Sequence, residues 1–425
     1  TVHDMLRRRR RNVEDPPWLR SLSGASGIFE VSNLSTSRRL EHQLHDHFAW
    51  IRRFRDHHKL ARARRFGEIG DELCGLLNGY AWGFGRATHP SPPRPLKVVS
   101  WNIERGVQFE ALRRTLEEDP RISGFDLLLL NEVDLGMGRS QNRDVARELA
   151  DSLACDYVFA NQHIVLTEGD AGEIGHGIPN NAALHGTAVL SRIPIQRFTA
   201  VPLPEYVDKL RATETRLGRK RTLIVEVEVD GTPCLIASVH LDPFAPSKHR
   251  AMQIHRIQSA VDAFGPRPCL LGGDFNTLTY DFSSPTRLAA NLLTKAASIG
   301  VAGTVQHYMV PEIRFERPVF EALSRLRFEI SGFNDRRGGT LFFDANDPGT
   351  RARASRYMPT PIYDRMCRLT KPWGGRVPMR ADWFAGRHLQ PSSAKVVSLP
   401  RDPHTRVSDH DPICVEVEPL KIPAT

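Results

Sequence analysis

Cysteine is scarce and unpatterned in this chain of 425 residues, which has six cysteines and no C-x-x-C pair. Three of the six lie inside apparent strands, where a cysteine behaves as a small buried hydrophobe. Disulfide scaffolds and cysteine-based zinc sites both need closely spaced pairs. The sequence therefore predicts reduced, buried thiols and excludes either kind of framework.

Long apolar runs are also missing, because no window approaches the roughly 20 uninterrupted apolar residues of a membrane-spanning helix. The arginine run Arg7 to Arg11 is typical of the start of an export signal, but the polar stretch NVEDPPWLRS follows it instead of an apolar region. An apolar fraction of 40% and mixed charge indicate a soluble globular protein. We therefore expect a cytoplasmic location.

The net positive charge is small after residue 95 and concentrated before it. Residues 1–95 contain 17 Lys plus Arg against 10 Asp plus Glu, which is +7 of the formal net charge of +9. The proline-rich stretch ATHPSPPRP, residues 87–95, predicts a linker. The composition thus predicts a basic, mainly helical N-terminal extension over residues 1–95 and a catalytic domain over residues 96–419.

One amphipathic helix is predicted within residues 35–66. Leu40, Leu44, Phe48 and Ile51 recur at steps of four, four and three, which places them on one helical face with arginines around it. Two interpretations remain open. The apolar face either docks on the next domain or, together with the basic charge, recruits the protein to an anionic polymer or membrane surface.

From residue 96 onward, short apolar strands alternate with helical patterns. The predicted strands include LKVVSWN, FDLLLLNEV, HGTAVLSR, TLIVEVEV, PCLIASVHL, PCLLGGD, ADWFAG, AKVVSL and PICVEVE. Several of them follow one another without a helix, which favours two packed β-sheets with helices outside over a doubly wound parallel sheet. Residues 285–378 interrupt this pattern with helical stretches such as VFEALSRLRFEI and are predicted to be an insertion that emerges at the rim of the cleft.

Polar side chains stand where these strands end. A single strand-terminal Asp or Asn usually caps a turn, and a single His beside an apolar run is usually a core residue. Here, however, strand after strand ends in a residue suited to phosphate or metal chemistry. These residues are Asn102, Glu132, His240, Asp274, Asn276, Asp382, Asp409 and His410.

The ordered motifs WN, NEVD, SVHL, GGDFN and SDHDP resemble the DNase I-like endonuclease/exonuclease/phosphatase superfamily over about residues 96–419. The resemblance implies a four-layered α/β sandwich and metal-dependent hydrolysis of a phosphate ester by activated water, usually with Mg²⁺ and with Mn²⁺ as an alternative. Independently of the resemblance, an anionic phosphodiester needs a cation to neutralise it and a base to activate water. Magnesium needs only one or two carboxylates because it retains several waters.

By this resemblance each strand-end residue acquires a role. Glu132 with Asn102 would hold the metal, and Glu104 and Asp409 are further candidate ligands. Asp274 would orient or deprotonate the attacking water, and Asn276 would bind that water or a phosphate oxygen. His410 would contact the phosphate with Asp382 on its other ring nitrogen, and His240 would donate to developing charge.

Two further features are less specific. Arg139 and Arg143, in GMGRSQNRD, either reach a substrate phosphate or lie on a solvated surface. Residues 161–186 are predicted to form a long loop beside the cleft, and His163, His176 and His185 within it lack a metal-binding spacing.

The substrate stays open between nucleic acid and a phospholipid or inositol phosphate, because the fold alone does not choose. PMRADWFAG matches the inositol phosphatase signature only in part, and the nearly neutral catalytic region disfavours tight non-specific duplex binding. The alternative to an enzyme is a non-catalytic scaffold that binds anionic surfaces or partners. Such a scaffold would be expected to have lost Glu132, Asp274 or His410, and all three are present.

Overall fold

Two β-sheets pack face to face in the computed structural model, which describes residues 27–87, 95–170, 177–278, 284–345, 347–355, 359–401 and 406–422. The strands are, in chain order, β1 Phe29–Glu30, β2 Ser37–Arg38, β3 Tyr80–Gly83, β4 Leu96–Arg105, β5 Leu127–Leu135, β6 Asp156–Val165, β7 Leu184–Ser191, β8 Ile195–Pro202, β9 Arg216–Gly218, β10 Arg221–Val229, β11 Thr232–His240, β12 Cys269–Asp274, β13 Leu341–Asp344, β14 Arg376–Met379, β15 Asp382–Arg387, β16 Leu389–Val396 and β17 Ile413–Pro419.

The helices lie mainly between these strands. They are α1 His45–Ile51, α2 His57–Ala61, α3 Phe66–Leu77, α4 Phe109–Glu118, α5 Val145–Leu153, α6 Ser247–Asp262, α7 Pro285–Met309, α8 Arg317–Arg325, α9 Pro348–Ala354 and α10 Thr360–Leu369. The strands predicted from the sequence are all present in the structure.

Both sheets mix parallel and antiparallel neighbours. One has the order β1-β8-β10-β11-β12-β15, in which β11 and β12 are parallel. The other has the order β16-β17-β4-β5-β7-β6-β3-β2, with β9 added beside β6, and β4 and β5 are its parallel pair. Since the carboxyl ends of parallel neighbours meet at one edge, β4, β5, β11 and β12 bring their last residues to the same end of the sandwich.

Three apolar layers hold the sandwich together. Leu129 and Val98 of one sheet meet Val225 and Ile236 of the other between the sheets. The outer face of the sheet that contains β5 is covered by α3, α4 and α5, and the outer face of the other is covered by α6 and α8. The architecture is therefore the expected four-layered α/β sandwich of helices, sheet, sheet and helices.

The N-terminal segment contains the helices α1, α2 and α3, but it is not separate from the sandwich. Strand β1 pairs with β8, and β3 pairs with β6, so residues 27–87 add strands to both sheets. These strands have two to four residues, too few to show a periodic pattern in the sequence. The proline-rich linker prediction lies almost wholly outside the described residues, as do Arg7 to Arg11.

The predicted amphipathic helix is broken. Leu40 and Leu44 precede α1, and α1 ends at Ile51 before α2 begins at His57. Leu40, Leu44 and Ile51 nevertheless lie buried in the apolar layer that covers the β5 sheet, and Phe48 packs against it. This apolar face therefore docks on the sandwich, as one of the two interpretations expected.

The insertion is helical, as expected, with one small sheet of β13 and β14. Part of it belongs to the core, because Val319, Phe320 and Leu323 of α8 pack with α6. Helix α7 is long and apolar enough to cross a membrane by length and composition, with 17% of the relevant window buried. Its backbone is not continuous, since Gly300 has φ 70° and ψ 176° and divides it into two helices.

The loop predicted over residues 161–186 is shorter than expected. Strand β6 continues to Val165 and β7 begins at Leu184. Strand β6 contains the polar residues Asn161, Gln162 and His163, which is why the sequence predicted that the loop begins at residue 161.

Candidate active site

Three neighbouring strands place acid and base side chains in one row. His240, the last residue of β11, is the register partner of Asp274, the last residue of β12. Asp274 is in turn the register partner of Asp382, the first residue of β15. All three are buried. The strand order therefore sets an imidazole and a second carboxylate on either side of Asp274.

The other sheet reaches the same point through two asparagines. Asn102 of β4 donates from Nδ2 to Asp274 Oδ2 over 3.2 Å. Its register partner Asn131, in β5, accepts from the backbone N–H of Asp274 over 2.9 Å. Asn131 also donates to Ser238 Oγ over 3.1 Å. These hydrogen bonds join the two sheets directly beneath Asp274, so the carboxylate is held from both sides.

Unusual backbone conformations occur at the strand ends. Glu104, Glu132 and Asn276 have φ values of 44°, 53° and 50°, which side chains other than glycine adopt rarely. The β4–β5 pairing shifts register between Asn102 and Arg105. Such conformations cluster at functional sites because the surrounding structure must hold them in place.

Gly273 is required just before Asp274. Its φ is 148°, and a Cβ there would lie 1.9 Å from the carbonyl oxygen of Val239. A side chain at this position would push β11 and β12 apart where His240 and Asp274 meet. The second glycine of the LLGGD motif is thus explained by close backbone approach.

His410 completes the row from the loop before β17. Its Nδ1 lies 2.8 Å from Asp382 Oδ2, and its Nε2 lies 3.9 Å from Asp274 Oδ2. Trp101 Nε1 donates to the His410 carbonyl over 2.9 Å and fixes this segment against β4. The predicted pairing of His410 with Asp382 is therefore present in the structure.

Within this row of side chains, His410 is held in its charged form and Asp274 has a raised pKa. Burial opposes the charged form of His410, but the Asp382 carboxylate outweighs it and holds the His410 pKa well above its ordinary value. Burial, reinforced by Asp382, raises the pKa of Asp274, although His410 opposes this shift. A carboxyl whose pKa approaches neutrality is suited to accept a proton from water at physiological pH.

Glu132 is charged and His240 is neutral. Burial alone would raise the Glu132 pKa, but Arg105, whose Nε lies 3.7 Å from Glu132 Oε2, holds it well below its ordinary value. Burial and the positive charge of Lys220 lower the pKa of His240. The His240 Nε2 lies 3.5 Å from Asp274 Oδ2 and 4.0 Å from Glu132 Oε1. A neutral imidazole thus stands between the two carboxylates.

Glu104 and Asp409, the two further candidate metal ligands, are joined by a hydrogen bond. Glu104 accepts from Arg406 Nη2 over 2.9 Å and from the backbone N–H of Asp409 over 3.0 Å. Arg406 also lies 3.4 Å from Asp347 of the insertion. Glu104 is therefore neutralised by Arg406, which leaves Glu132 as the better supported ligand.

A hard divalent cation fits the oxygen donors of Glu132 and Asn102. The Glu132 side chain is ionised and 24% exposed, so it is accessible from the cleft. Among the residues that the structure describes, no group of three or more His, Cys, Asp or Glu is arranged to hold a metal.

Arg139 is not part of this cluster, which corrects the prediction that it reaches a substrate phosphate. Its side chain is 1% exposed, and its guanidinium binds Asp134 over 2.7 Å and Glu214 over 2.7 Å. The periodicity of the sequence gave no sign of this burial. Arg139 thus belongs to an internal ion-pair network.

Arg143 is also held elsewhere. It pairs with Glu148 over 2.6 Å and with Glu110 over 3.2 Å, and it stacks on the ring of Phe109 at 4.4 Å. These partners lie on α4 and α5. The alternative of a surface role, which the sequence left open for Arg143, is the one that this geometry favours.

Sequence reasoning missed three residues of the site: Asn131, Arg105 and Lys220. Asn131 and Arg105 adjoin Glu132 and Glu104 in the motifs NEVD and IERG, so their position at strand ends was available as a signal. Lys220 had none, since GRKRT is merely a basic stretch before a strand. His163 and His185 are buried, and His185 binds Asp134 over 2.9 Å, whereas His176 lies outside the described residues.

The endonuclease/exonuclease/phosphatase family model matches residues 99–410, well over half of the chain. The chain belongs to this family. Its members hydrolyse phosphate esters and generally use divalent metal ions. The five motifs that carried the resemblance all lie on the edge of the sandwich where Asp274 and His410 meet.

The chain is also similar to solved structures, at low sequence identity. An endonuclease/exonuclease/phosphatase protein from Beutenbergia cavernae is 19% identical over 78% of this chain and 73% of its own, with a TM-score of 0.47. The human nocturnin catalytic domain is 16% identical over 76% and 93%, with a TM-score of 0.43. A humanized TDP2 from D. rerio is 13% identical over 76% and 98%, with a TM-score of 0.41. Among curated proteins, none matches this chain.

Proposed function

We propose that this protein is a Mg²⁺-dependent phosphodiesterase that hydrolyses its substrate by attack of an activated water. The observation that carries the proposal is the convergence of His240, Asn102 and His410 on one oxygen of Asp274, at 3.5, 3.2 and 3.9 Å. A buried carboxylate with a raised pKa and a nearby imidazolium form a base and a cation on either side of one small space.

Asp274 takes the proton of the attacking water in this scheme. The water oxygen forms a bond to phosphorus while the bond from phosphorus to the leaving oxygen breaks, which yields a phosphomonoester and an alkoxide. The alkoxide takes a proton from solvent to become the alcohol, and Asp274 returns its proton to solvent. Asn102 and the backbone N–H of Asn276 hold the Asp274 carboxylate, since Asn276 N–H donates to Oδ1 over 2.8 Å. The side-chain amide of Asn276 donates to the Leu241 carbonyl over 2.9 Å, so it supports the loop.

His410 stabilises charge on the phosphate. Its imidazolium is maintained by Asp382, and such a preorganised cation is worth most in a site that excludes water. Glu132 with Asn102 would hold Mg²⁺, which when bound supplies a positive charge that neutralises the phosphate. His240, which is neutral, offers a hydrogen bond to an oxygen that gains charge during the attack.

The insertion lies beside the catalytic residues, where it can influence which substrate is bound. Thr340 Oγ1 accepts from the backbone N–H of Asp382 over 3.1 Å, and Leu341 forms a bridge with His410. The insertion therefore contacts the catalytic row directly. We propose that it influences the choice between a nucleic acid and a phospholipid or inositol phosphate.

The test is a screen with DNA, RNA, phospholipids and inositol phosphates in the presence and absence of Mg²⁺. Glu132→Ala, Asp274→Asn and His410→Ala should each lower turnover by at least about 100-fold, the scale for loss of an acid, a base or a charge-stabilising group. Asp119→Asn, a surface carboxylate paired with Arg121, is the matched control and should retain turnover. Full activity in EDTA or in Asp274→Asn would refute the proposal.

A further inference from the structure

Lys220 is a buried cation without a direct partner. It is 6% exposed and lies in the short connection between β9 and β10. Its backbone carbonyl accepts from the N–H of Leu203 over 2.9 Å, which fixes the chain. Within the described part of the chain, its ammonium forms no hydrogen bond or ion pair.

The nearby carboxylates are occupied by other donors. Glu132, Asp274 and Asp242 all lie close enough for their charges to act on Lys220. Glu132 faces Arg105, and Asp274 is held by Asn102 and Asn276. Asp242 accepts from the backbone N–H groups of Tyr206 and Phe244 over 3.3 and 3.0 Å.

The neighbouring cations, by contrast, have partners of their own, and Arg221 donates to the carbonyl oxygens of Gly79 and Asn161 over 3.1 and 2.9 Å. Lys209 lies 2.8 Å from Glu205, and Arg216 is paired with Glu214. Among these four cations, Lys220 is therefore the one whose side chain has no hydrogen-bond or ion-pair partner within the described residues. Burial, followed by the charge of Lys209, lowers the pKa of Lys220.

The sheet order decides where this charge stands relative to the catalytic row. Strand β10 neighbours β11, which ends in His240, and β12 and β15 follow with Asp274 and Asp382. Lys220 immediately precedes β10, so it lies on the His240 side of Asp274. His410 lies on the opposite side, against Asp382.

We propose that Lys220 binds a phosphate oxygen of the substrate, so that the phosphate sits over Asp274 between Lys220 and His410. The proposal rests on the proposed phosphodiesterase function. It gives Lys220 the phosphate-binding role that the sequence suggested for Arg139 or Arg143. An ammonium binds phosphate as a point charge and forms charge-assisted hydrogen bonds to its oxygens. A buried ammonium without a hydrogen-bond partner weakens the folded state, and such costs persist where a ligand needs the group.

The probe is inorganic phosphate, measured as a competitive inhibitor of turnover and as a ligand that raises the melting temperature. Lys220→Met should weaken phosphate inhibition about 10- to 100-fold and raise KM, because it removes a charged hydrogen-bond donor. Lys220→Arg, which keeps the charge, should recover much of the affinity. Lys220→Gln provides the same comparison with a polar side chain if the Met variant is insoluble.

Lys295→Met is the matched control. Lys295 is also buried, with its pKa lowered by burial to about 7, but it lies among Glu316, Arg250 and Phe315, on the insertion side of α6. Phosphate inhibition should be unchanged in this variant. Without phosphate, Lys220→Met should melt at a higher temperature than wild type, and phosphate should no longer stabilise it.

The inference alone fails if Lys220→Met retains turnover with wild-type KM and wild-type phosphate inhibition. It also fails if Lys220→Met melts at a lower temperature than wild type while phosphate still stabilises it, since that is the signature of a purely structural lysine. If wild type hydrolyses no phosphate ester but phosphate protection still depends on Lys220, the phosphodiesterase proposal fails and the anion-binding role stands.

Discussion

Replacement of Arg139 by methionine should destabilise the whole protein and leave no defect specific to substrate binding. The Arg139 guanidinium donates from Nε and Nη2 to Asp134 over 2.7 and 2.9 Å, and from Nη1 to Glu214 over 2.7 Å. The Asp134 side chain is fully buried. Met fills a similar volume but supplies no donor, so the variant leaves two buried carboxylates with fewer partners.

The magnitude follows from the burial of this network. Breaking a buried ion pair by removing one partner typically costs about 3–5 kcal/mol, because the remaining charge stays desolvated. His185 still binds Asp134 over 2.9 Å, and Arg216 still pairs with Glu214. We therefore expect a loss near the lower end of that range in the free energy of unfolding.

A pH series identifies the charge responsible. Burial alone would raise the pKa of Asp134, but Arg139 outweighs it and holds the pKa below its ordinary value. In wild type, Asp134 therefore contributes stability that is present above the unfolded pKa of about 3.8 and is lost as the pH falls. In Arg139→Met the buried carboxyl has a raised pKa, so protonation relieves the defect and the two proteins converge at low pH.

The assay is urea unfolding of wild type, Arg139→Met and Arg143→Met at several pH values. Arg143, which pairs at the surface with Glu148 and Glu110, is the matched control and should cost less than about 1 kcal/mol. An Arg139→Met variant as stable as Arg143→Met, but with a raised KM, would refute this reasoning and restore the substrate-binding role.

Two further changes test the catalytic row and the N-terminal segment. Asp382→Asn should lower the pKa of His410 and reduce turnover roughly 10²- to 10⁴-fold near neutral pH, with activity lost at a lower pH on the alkaline side; an unchanged alkaline limb of the kcat/KM profile would contradict this. Removal of residues 1–90 should lower the melting temperature and reduce turnover of both a large anionic substrate and a small soluble phosphodiester, because β1 and β3 extend the two sheets. A truncated protein with full stability and only a raised KM at low salt would favour recruitment to anionic surfaces instead.

The sequence predicts the central strands well because each is a run of apolar residues with a polar end. The strand order that brings these ends together cannot be predicted in the same way. His240, Asp274 and Asp382 become neighbours only because β11, β12 and β15 are adjacent. Local sequence does not determine which strands pair, so their proximity came from the family resemblance rather than from periodicity.

The strands that were missed are short or contain a polar run. Strands β1 and β3 have two and four residues, and β6 contains Asn161, Gln162 and His163, so none shows the pattern by which strands are recognised. The amphipathic spacing of Leu40, Leu44 and Ile51 correctly indicated an apolar face but not the interruption after α1. A periodic spacing of apolar residues predicts which residues are buried more reliably than it predicts a continuous helix.

Arg139 and Lys220 show why charged residues near a site are difficult to assign from sequence. Both are basic residues in polar stretches, and both are buried in the structure. Arg139 has two carboxylates within 2.7 Å, whereas the carboxylates near Lys220 are taken by other donors. Removal of the first should therefore weaken the folded state, and removal of the second should strengthen it at the expense of phosphate binding. The two variants should change the free energy of unfolding in opposite directions, because the partners of Arg139 and Lys220 differ and are distant in the chain. Stability measurements on the two variants therefore distinguish a structural cation from a functional one.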